Sequence, residues 1–220
     1  QSLKLNFVRN AAIVNLKSFD SKSVHIDMFG CENVSVSHVR LSAPESSPNT
    51  DGIRIGNSNR VYISRSVIST GDDCIGILTG SRKIHVSGVV CGPGHGISIG
   101  SIGWSKRFEF VKGVRVANSR FVGTANGVRI KTWADAAYSR VSNVVFSDLV
   151  MEDVANPIII DQQYCPNGSG CRLGRSLVQI RDVTFRNIYG MSASKSAVTL
   201  LCSESLPCRN VKLIDINLAY

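Results

Sequence analysis

Short segments in which hydrophobic and polar side chains alternate recur from one end of this sequence to the other. Most contain two aliphatic residues separated by one other residue, which is typical of a β-strand that buries one face. No segment shows the apolar i, i+3, i+4, i+7 spacing of an amphipathic helix. No run approaches the roughly 18 apolar residues of a membrane span. The sequence therefore predicts an all-β protein, and no membrane is expected as a partner.

The alternating segments fall into two repeating sets. In the first set, the stretch Asp51–Ile55 recurs 22 residues later at Asp73–Ile77 and again at His95–Ile99. Further copies of the first set begin at Asn126, Asn156 and Ser196. The copies of the second set lie between them and begin at Val34, Val61, Ile84, Val114, Val144, Val183 and Val211.

This repetition predicts a parallel β-solenoid. One coil of about 22 to 40 residues cannot bury its own inward face, so neighbouring coils stack and form a continuous core. A β-sandwich also has many short strands, but it gives no reason for the in-phase repetition of the first set. We expect residues 1–220 to form a single domain.

The charge balance indicates the class of partner. The chain has 25 Lys and Arg against 16 Asp and Glu, a net charge of +9, while 43% of its residues are hydrophobic. Such a basic chain favours a polyanion, either a nucleic acid or an acidic polysaccharide. No RNA-binding aromatic motif, helix-turn-helix or zinc-finger spacing is present. Nucleic acid is therefore not expected as a partner.

Seven cysteines indicate an oxidising, secreted setting. None forms a Cys-x-x-Cys motif, which disfavours a zinc ribbon or a thioredoxin-type redox site. Their spacing predicts three disulfides: Cys74–Cys91, Cys165–Cys171 and Cys202–Cys208. Cys31 is left over, either as a buried free thiol or as one whose partner lies outside the sequence. Asn33 and Asn167 begin glycosylation sequons, which fit the same setting.

The solenoid brings distant polar residues together. Asp51, Asp73 and His95 occupy the same position on three successive coils, and Asp72 lies one place earlier on the middle coil. Residues at one position stack about 4.8 Å apart. The carboxylates therefore repel one another, and one of them is expected to keep its proton to higher pH. Alternatively, each Asp caps a turn.

Two cations are predicted beside these acids. Arg129 and Lys131 alternate with the inward-facing Val128 and Ile130, so they point outward on the next coil. Their presence counts against a calcium site among the carboxylates. A pair of carboxyls with unequal pKa values suits glycoside hydrolysis. Arg and Lys beside them suit a substrate that itself carries carboxylates.

Four motifs, in this order, together resemble the signature of the polygalacturonases, glycoside hydrolase family 28: Asn49-Thr50-Asp51, Gly71-Asp72-Asp73, Gly94-His95-Gly96 and Arg129-Ile130-Lys131. The stretches Cys91–Gly94 and Asp161–Cys165 are similar to plant members, especially pollen exopolygalacturonases. The resemblance implies a right-handed parallel β-helix. It also implies hydrolysis of the α-1,4 bonds of polygalacturonate with inversion, in an exo-acting, secreted cell-wall enzyme.

The resemblance also implies roles for individual residues. Asp72 is expected to be the general acid, Asp51 and Asp73 to activate the water, and His95 to support the acid. For substrate binding it implies a second set, in which two cations hold substrate carboxylates and a tyrosine contacts a sugar: Arg129, Lys131 and Tyr164. Neither a metal nor another cofactor is expected, and the chain is expected to be a monomer.

Two departures from the family leave alternatives open. Gly76 stands where the family usually has Ser or Ala, which leaves local space. Family members are also much longer, so we expect N-terminal coils and a cap to be missing. The alternative functions are a catalytically silent pectin-binding or allergen-like protein, an endo-acting polygalacturonase, and a calcium-dependent pectate lyase on the same scaffold.

Overall fold

The computed structural model describes residues 1–105, 107–166, 171 and 174–220, and within them it is an all-β parallel β-helix. This confirms the predicted fold class, a right-handed parallel β-helix. The strands, in chain order, are β1 (Leu3–Asn6), β2 (Arg9–Val14), β3 (Lys17–Phe19), β4 (Ile26–Phe29), β5 (Glu32–Ser37), β6 (Arg40–Ser42), β7 (Ile53–Gly56), β8 (Asn59–Ser69), β9 (Ile75–Ile77), β10 (Arg82–Cys91), β11 (Ile97–Ile102), β12 (Phe110–Val122), β13 (Asn126–Trp133), β14 (Ser139–Val154), β15 (Asn156–Tyr164), β16 (Val178–Ser192), β17 (Val198–Leu201) and β18 (Arg209–Ala219).

The strands form two long sheets that correspond to the two repeating sets of the sequence. One sheet has eight strands in the order β1-β4-β7-β9-β11-β13-β15-β17. The other has ten: eight in the order β18-β16-β14-β12-β10-β8-β5-β2, and β3 and β6, which pair with each other and join through β8. All the pairings between named strands are parallel. Because a β-sandwich consists of antiparallel strands, the alternative architecture is excluded.

The core is a stack of aliphatic side chains between the two sheets. On the eight-stranded sheet Ile53, Ile75 and Ile97 are register partners, and all three are fully buried. Each coil buries its inward face against its neighbours, so the core continues along the axis of the helix. Arg54, Gly76 and Ser98 alternate with these isoleucines and point away from the core. The outward surface along this column is called the groove below.

Bends within the ten-stranded sheet are marked by a column of left-handed residues. The register places Asn10, Asn33, Arg60 and Lys83 on successive coils, each with a φ between 53° and 57°. Asn and Asp tolerate this conformation better than other non-glycine residues. The side-chain amide of Asn33 donates to Oδ1 of Asn10 at 2.8 Å. The asparagines of the sequence thus shape the turn of the coil.

The three predicted disulfides are present in the structure, Cys74–Cys91, Cys165–Cys171 and Cys202–Cys208. Cys31 is a buried free thiol whose Sγ lies 3.4 Å from the carbonyl oxygen of Leu5. In the described part of the chain, no helix has the length and apolar character needed to cross a membrane.

Candidate active site

The predicted column of acids lies where the eight-stranded sheet begins on each coil. The register Ile53–Ile75–Ile97 aligns Asp51, Asp73 and His95, each two residues earlier. Backbone hydrogen bonds join the coils at this point. The N–H of Gly52 donates to the carbonyl of Asp73 at 2.9 Å, and the N–H of His95 donates to the carbonyl of Asp72 at 2.8 Å. The coils therefore bring these side chains to one end of the outward face.

Asp73 is held by two cations and a hydroxyl. Its Oδ2 accepts a hydrogen bond from Nζ of Lys131 at 2.9 Å. Its Oδ1 accepts bonds from Nη2 of Arg129 at 3.0 Å and from the hydroxyl of Ser98 at 2.7 Å. The side chains of Asp73, Lys131 and Arg129 are 5%, 9% and 14% exposed, so the cluster is largely shielded from solvent. Lys131 and Arg129 therefore compensate the negative charge of this buried carboxylate.

Asp72 pairs with His95. The Nδ1 of His95 donates to Oδ1 of Asp72 at 3.1 Å, and the backbone N–H of Asp73 donates to the same oxygen at 2.7 Å. Burial raises the pKa of Asp72, but these two bonds and the positive charges nearby outweigh it, so its pKa lies below the usual value. The bond with Asp72 raises the pKa of His95. The short contact between them thus favours the charged form of each residue.

Asp51 is the carboxyl that keeps its proton. Burial, followed by the negative charges of Asp72 and Asp73, raises its pKa to about 7, although Arg54 acts in the opposite direction. Crowded carboxyls of unequal pKa were expected from the sequence. The resemblance assigns the proton to Asp72, whereas the unliganded structure favours it on Asp51.

Gly76 leaves the space between two of the acids open. A Cβ built on Gly76 would lie 3.4 Å from Oδ2 of Asp51 and 3.8 Å from Oδ2 of Asp73. The two carboxylates that the resemblance assigns to water activation therefore meet above this glycine. The local space expected from the sequence lies at the centre of the site.

Tyr164 lies beside the two cations. Its ring centroid is 5.2 Å from Nζ of Lys131 and 5.9 Å from the guanidinium carbon of Arg129. Trp133 packs edge-on against this ring at 5.5 Å, and Trp104 lies 4.7 Å from Trp133. The indole of Trp104 is 71% exposed. Three aromatic side chains thus extend from the cations that bond Asp73.

The structure brings together all seven residues to which the resemblance assigns roles in catalysis and substrate binding: Asp51, Asp72, Asp73, His95, Arg129, Lys131 and Tyr164. Asn33 is exposed on the ten-stranded sheet, away from them. Asn167 lies outside the described residues. Sequence reasoning overlooked Ser98, which bonds Asp73, and Asn126, whose amide donates to the carbonyl of His95 at 3.2 Å. Their outward positions on the repeat were the signal that could have revealed both.

The same residues include a set of possible metal ligands. Ligand atoms of Asp72, Asp73 and His95 all lie within 4.8 Å of one another. However, Asp73 is already neutralised by Lys131 and Arg129. A divalent cation bound there would be repelled by two adjacent positive charges. The electrostatics of the site therefore favour an anionic group over a metal ion.

Comparisons with known proteins place this site in context. The whole chain, residues 1–220, matches the family described as glycosyl hydrolases family 28. Over 219 residues it is 43% identical both to an exopolygalacturonase of Platanus acerifolia and to a polygalacturonase of Gossypium barbadense. All of the chain is covered, but only 58% and 54% of those two proteins. The chain therefore spans little more than half the length of these relatives.

A solved structure shares the fold. The crystal structure of an endo-xylogalacturonan hydrolase from Aspergillus tubingensis superposes with a TM-score of 0.87 at 24% identity. The match covers 99% of this chain and 62% of that one. The parallel β-helix with its column of stacked coils is thus common to both chains.

Proposed function

This chain belongs to glycosyl hydrolase family 28, and on that premise we propose that it hydrolyses the α-1,4 bonds of polygalacturonate with inversion. The observation that carries the proposal is the cluster of unequal carboxyls beside two buried cations. Asp73 is paired with Lys131 and Arg129, while the pKa of Asp51 is raised to about 7. Inverting hydrolysis needs one carboxylic acid and one carboxylate across the scissile bond.

In this mechanism Asp72 protonates the leaving oxygen, and Asp51 and Asp73 activate the water. Asp73 is oriented for its role by the two cations and the hydroxyl that bond it. Asp72 and Asp51 must exchange protonation states when substrate binds. A uronate carboxylate beside Asp72 disfavours its charged form and raises its pKa, so the proton held by Asp51 passes to Asp72 and Asp51 becomes a base. His95, which shares Oδ1 of Asp72, holds the acid in place.

The cations retain donors for substrate. Lys131 uses one of its three N–H groups on Asp73, and Arg129 uses Nε on Ser98 and Nη2 on Asp73. The remaining donors can bind a galacturonate carboxylate. Tyr164, 5.2 Å from Lys131, would then contact the ring of the same sugar. These contacts support a substrate with one carboxylate on each unit.

We further propose an exo-acting, monomeric, secreted enzyme of the cell wall, formed as a single β-helix domain. Three disulfides support an oxidising compartment. The exopolygalacturonase of Platanus acerifolia supports exo action, and the pollen-type motifs support a pollen protein. Glycosylation at Asn33 is favoured by the exposure of that side chain. A pectin-binding, allergen-like role without catalysis is the alternative.

The decisive measurement is the release of reducing ends from polygalacturonate by the wild type and by Asp72→Asn. Loss of the general acid is expected to lower kcat by about 10²- to 10⁴-fold. Asp215→Asn, on an exposed strand of the ten-stranded sheet, is the matched control and should retain full turnover. Chromatography of the early products identifies the mode, since monomer alone indicates exo action and mixed oligomers indicate endo action.

Two results would overturn the proposal. Binding of polygalacturonate by the wild type without any release of sugar would favour the non-catalytic alternative. Release of unsaturated, ultraviolet-absorbing products that depends on calcium would indicate elimination by a lyase.

A further inference from the structure

One outward column crosses the floor of the groove from coil to coil. The register of the eight-stranded sheet aligns Lys4, Asp27, Arg54, Gly76, Ser98 and Arg129. Gly76 lies at the centre of this column, where Asp51 and Asp73 converge. Arg129 is two coils from Gly76 on one side, and Arg54 is one coil from it on the other. The acids are therefore flanked by cations on both sides along the helix axis.

Arg54 is oriented by a buried partner. Its Nε donates to Oδ1 of Asp27 at 2.9 Å and its Nη2 to Oδ2 at 3.1 Å, a two-bond pairing that fixes the plane of the guanidinium. Asp27 is only 8% exposed, whereas the side chain of Arg54 is 34% exposed. These bonds use two of the five guanidinium N–H groups, which leaves three for a ligand.

Arg54 lies at the junction of the acids and an open groove. Its charge lowers the pKa of Asp51, which places it within electrostatic reach of that carboxyl. On its other side a cavity of about 300 Å³ is lined by Arg54, Lys4, Asn6 and Phe29, among others. Lys4 is exposed and adds a second positive charge. The cavity therefore continues the groove beyond the acids and offers two cations to an anionic ligand.

We propose that Arg54, positioned by Asp27, binds the carboxylate of the galacturonate unit on the opposite side of the cleaved bond from Arg129 and Lys131. This inference rests on the proposed function. It assigns a charged contact to each side of the bond, so that both sugars are fixed before the proton moves. The competing explanation is that Arg54 serves only to neutralise the buried Asp27.

The test is calorimetric titration with trigalacturonate, in which the wild-type reference and every variant also carry Asp72→Asn so that the ligand is bound and not cleaved. Arg54→Gln alone would leave the buried Asp27 without its cation, with the amide of Gln1 as its remaining hydrogen-bond partner among the described residues, and would destabilise the fold. The main variant is therefore the pair Asp27→Asn and Arg54→Gln, which removes both charges and leaves the net charge unchanged. Loss of a charge-assisted bond is expected to weaken binding about 10- to 100-fold. Arg115→Gln, on the exposed face of β12, is the control for loss of a distant cation and should bind like the wild type.

A fully methyl-esterified trigalacturonate distinguishes a carboxylate contact from a structural role. Its affinity should be the same for the wild type and the double variant, because it has no charge for Arg54 to bind. If the double variant binds free trigalacturonate as tightly as the wild type, or loses affinity for both ligands equally, the inference is wrong. If the wild type binds neither ligand, the proposed function itself fails.

Discussion

Asp51 shows how strongly one side chain depends on the coils beside it. Alone in a turn it would be an ordinary carboxylate. Here burial and two neighbouring acids raise its pKa to about 7, and among the residues that the structure describes no cation forms an ion pair with it as Lys131 and Arg129 do with Asp73. The site therefore stores unfavourable electrostatic energy at neutral pH, as active sites commonly do.

The destabilisation caused by ionised Asp51 should be visible in how the free energy of unfolding depends on pH. Its folded pKa of about 7 exceeds its unfolded value of 3.8, so the folded state holds the proton more tightly. The free energy of unfolding therefore falls as pH rises from about 4 to about 7, and this site destabilises the fold by up to about 4 kcal/mol above that range. Asp51→Asn should remove the loss, so it should stabilise the protein at pH 8 and change little at pH 4.

Urea denaturation at the two pH values measures this effect. Asp215→Asn is the control, because that exposed carboxyl should give the same small change at both values. Equal stability of Asp51→Asn and the wild type at pH 8 would show that Asp51 is not held in an unfavourable environment.

A covalent link between two strands helps to position Asp73. Asp73 precedes Cys74, and the disulfide Cys74–Cys91 joins the start of β9 to the end of β10. Both sulfurs are buried. The short strand β9 has only three residues, so its own ladder bonds give it little rigidity. The disulfide therefore anchors the carboxylate that bonds Lys131, Arg129 and Ser98.

Removal of this disulfide should affect both stability and activity. Cys74→Ser with Cys91→Ser opens a loop with a sequence separation of 17 residues and should destabilise the fold by about 3 kcal/mol. Turnover should also fall, because Asp73 loses its anchor. Cys202→Ser with Cys208→Ser, a separation of 6 residues, should cost about 2 kcal/mol and leave kcat unchanged. An unchanged kcat in the Cys74→Ser, Cys91→Ser variant would show that this disulfide is not needed to position Asp73.

The molecule as a whole attracts a polyanion even though its groove contains three acids. The net charge of +9 creates a positive field around the chain, and Lys4, Arg54, Arg129 and Lys131 bring part of it onto the groove. A long-range attraction of this kind concentrates an acidic polymer near the site. The acids then act at short range, where Lys131 and Arg129 hold the carboxylate of Asp73 in place.

Because salt screens this positive field, the KM for polygalacturonate should depend on ionic strength. An increase in ionic strength from about 0.1 M to about 1 M shortens the screening length from about 10 Å to about 3 Å. The KM for polygalacturonate should rise severalfold, while kcat changes little because the buried contacts of Asp73 are poorly screened. Highly methyl-esterified pectin is the control substrate, and its KM should respond less. A KM for polygalacturonate that does not change with salt would contradict this role of the net charge.

Local signals in the sequence were enough to predict the fold and the residues that converge in the candidate site. The alternation of aliphatic residues and the 22-residue recurrence of Asp51, Asp73 and His95 reveal the stacked coils, because a solenoid repeats in space as it repeats along the chain. The spacing of the cysteines along the chain predicted the three disulfides. The four motifs then identified the residues of the site.

The pairing and protonation of those residues depended on three-dimensional contacts. Lys131 reaches Asp73 across 58 residues of sequence, and Ser98 donates its hydroxyl to the same carboxylate from 25 residues away. The raised pKa of Asp51 and the lowered pKa of Asp72 differ because one side chain meets burial and like charge while the other meets His95. A repeat aligns positions on neighbouring coils, but burial and the few ångströms between charged atoms determine what each aligned group can do.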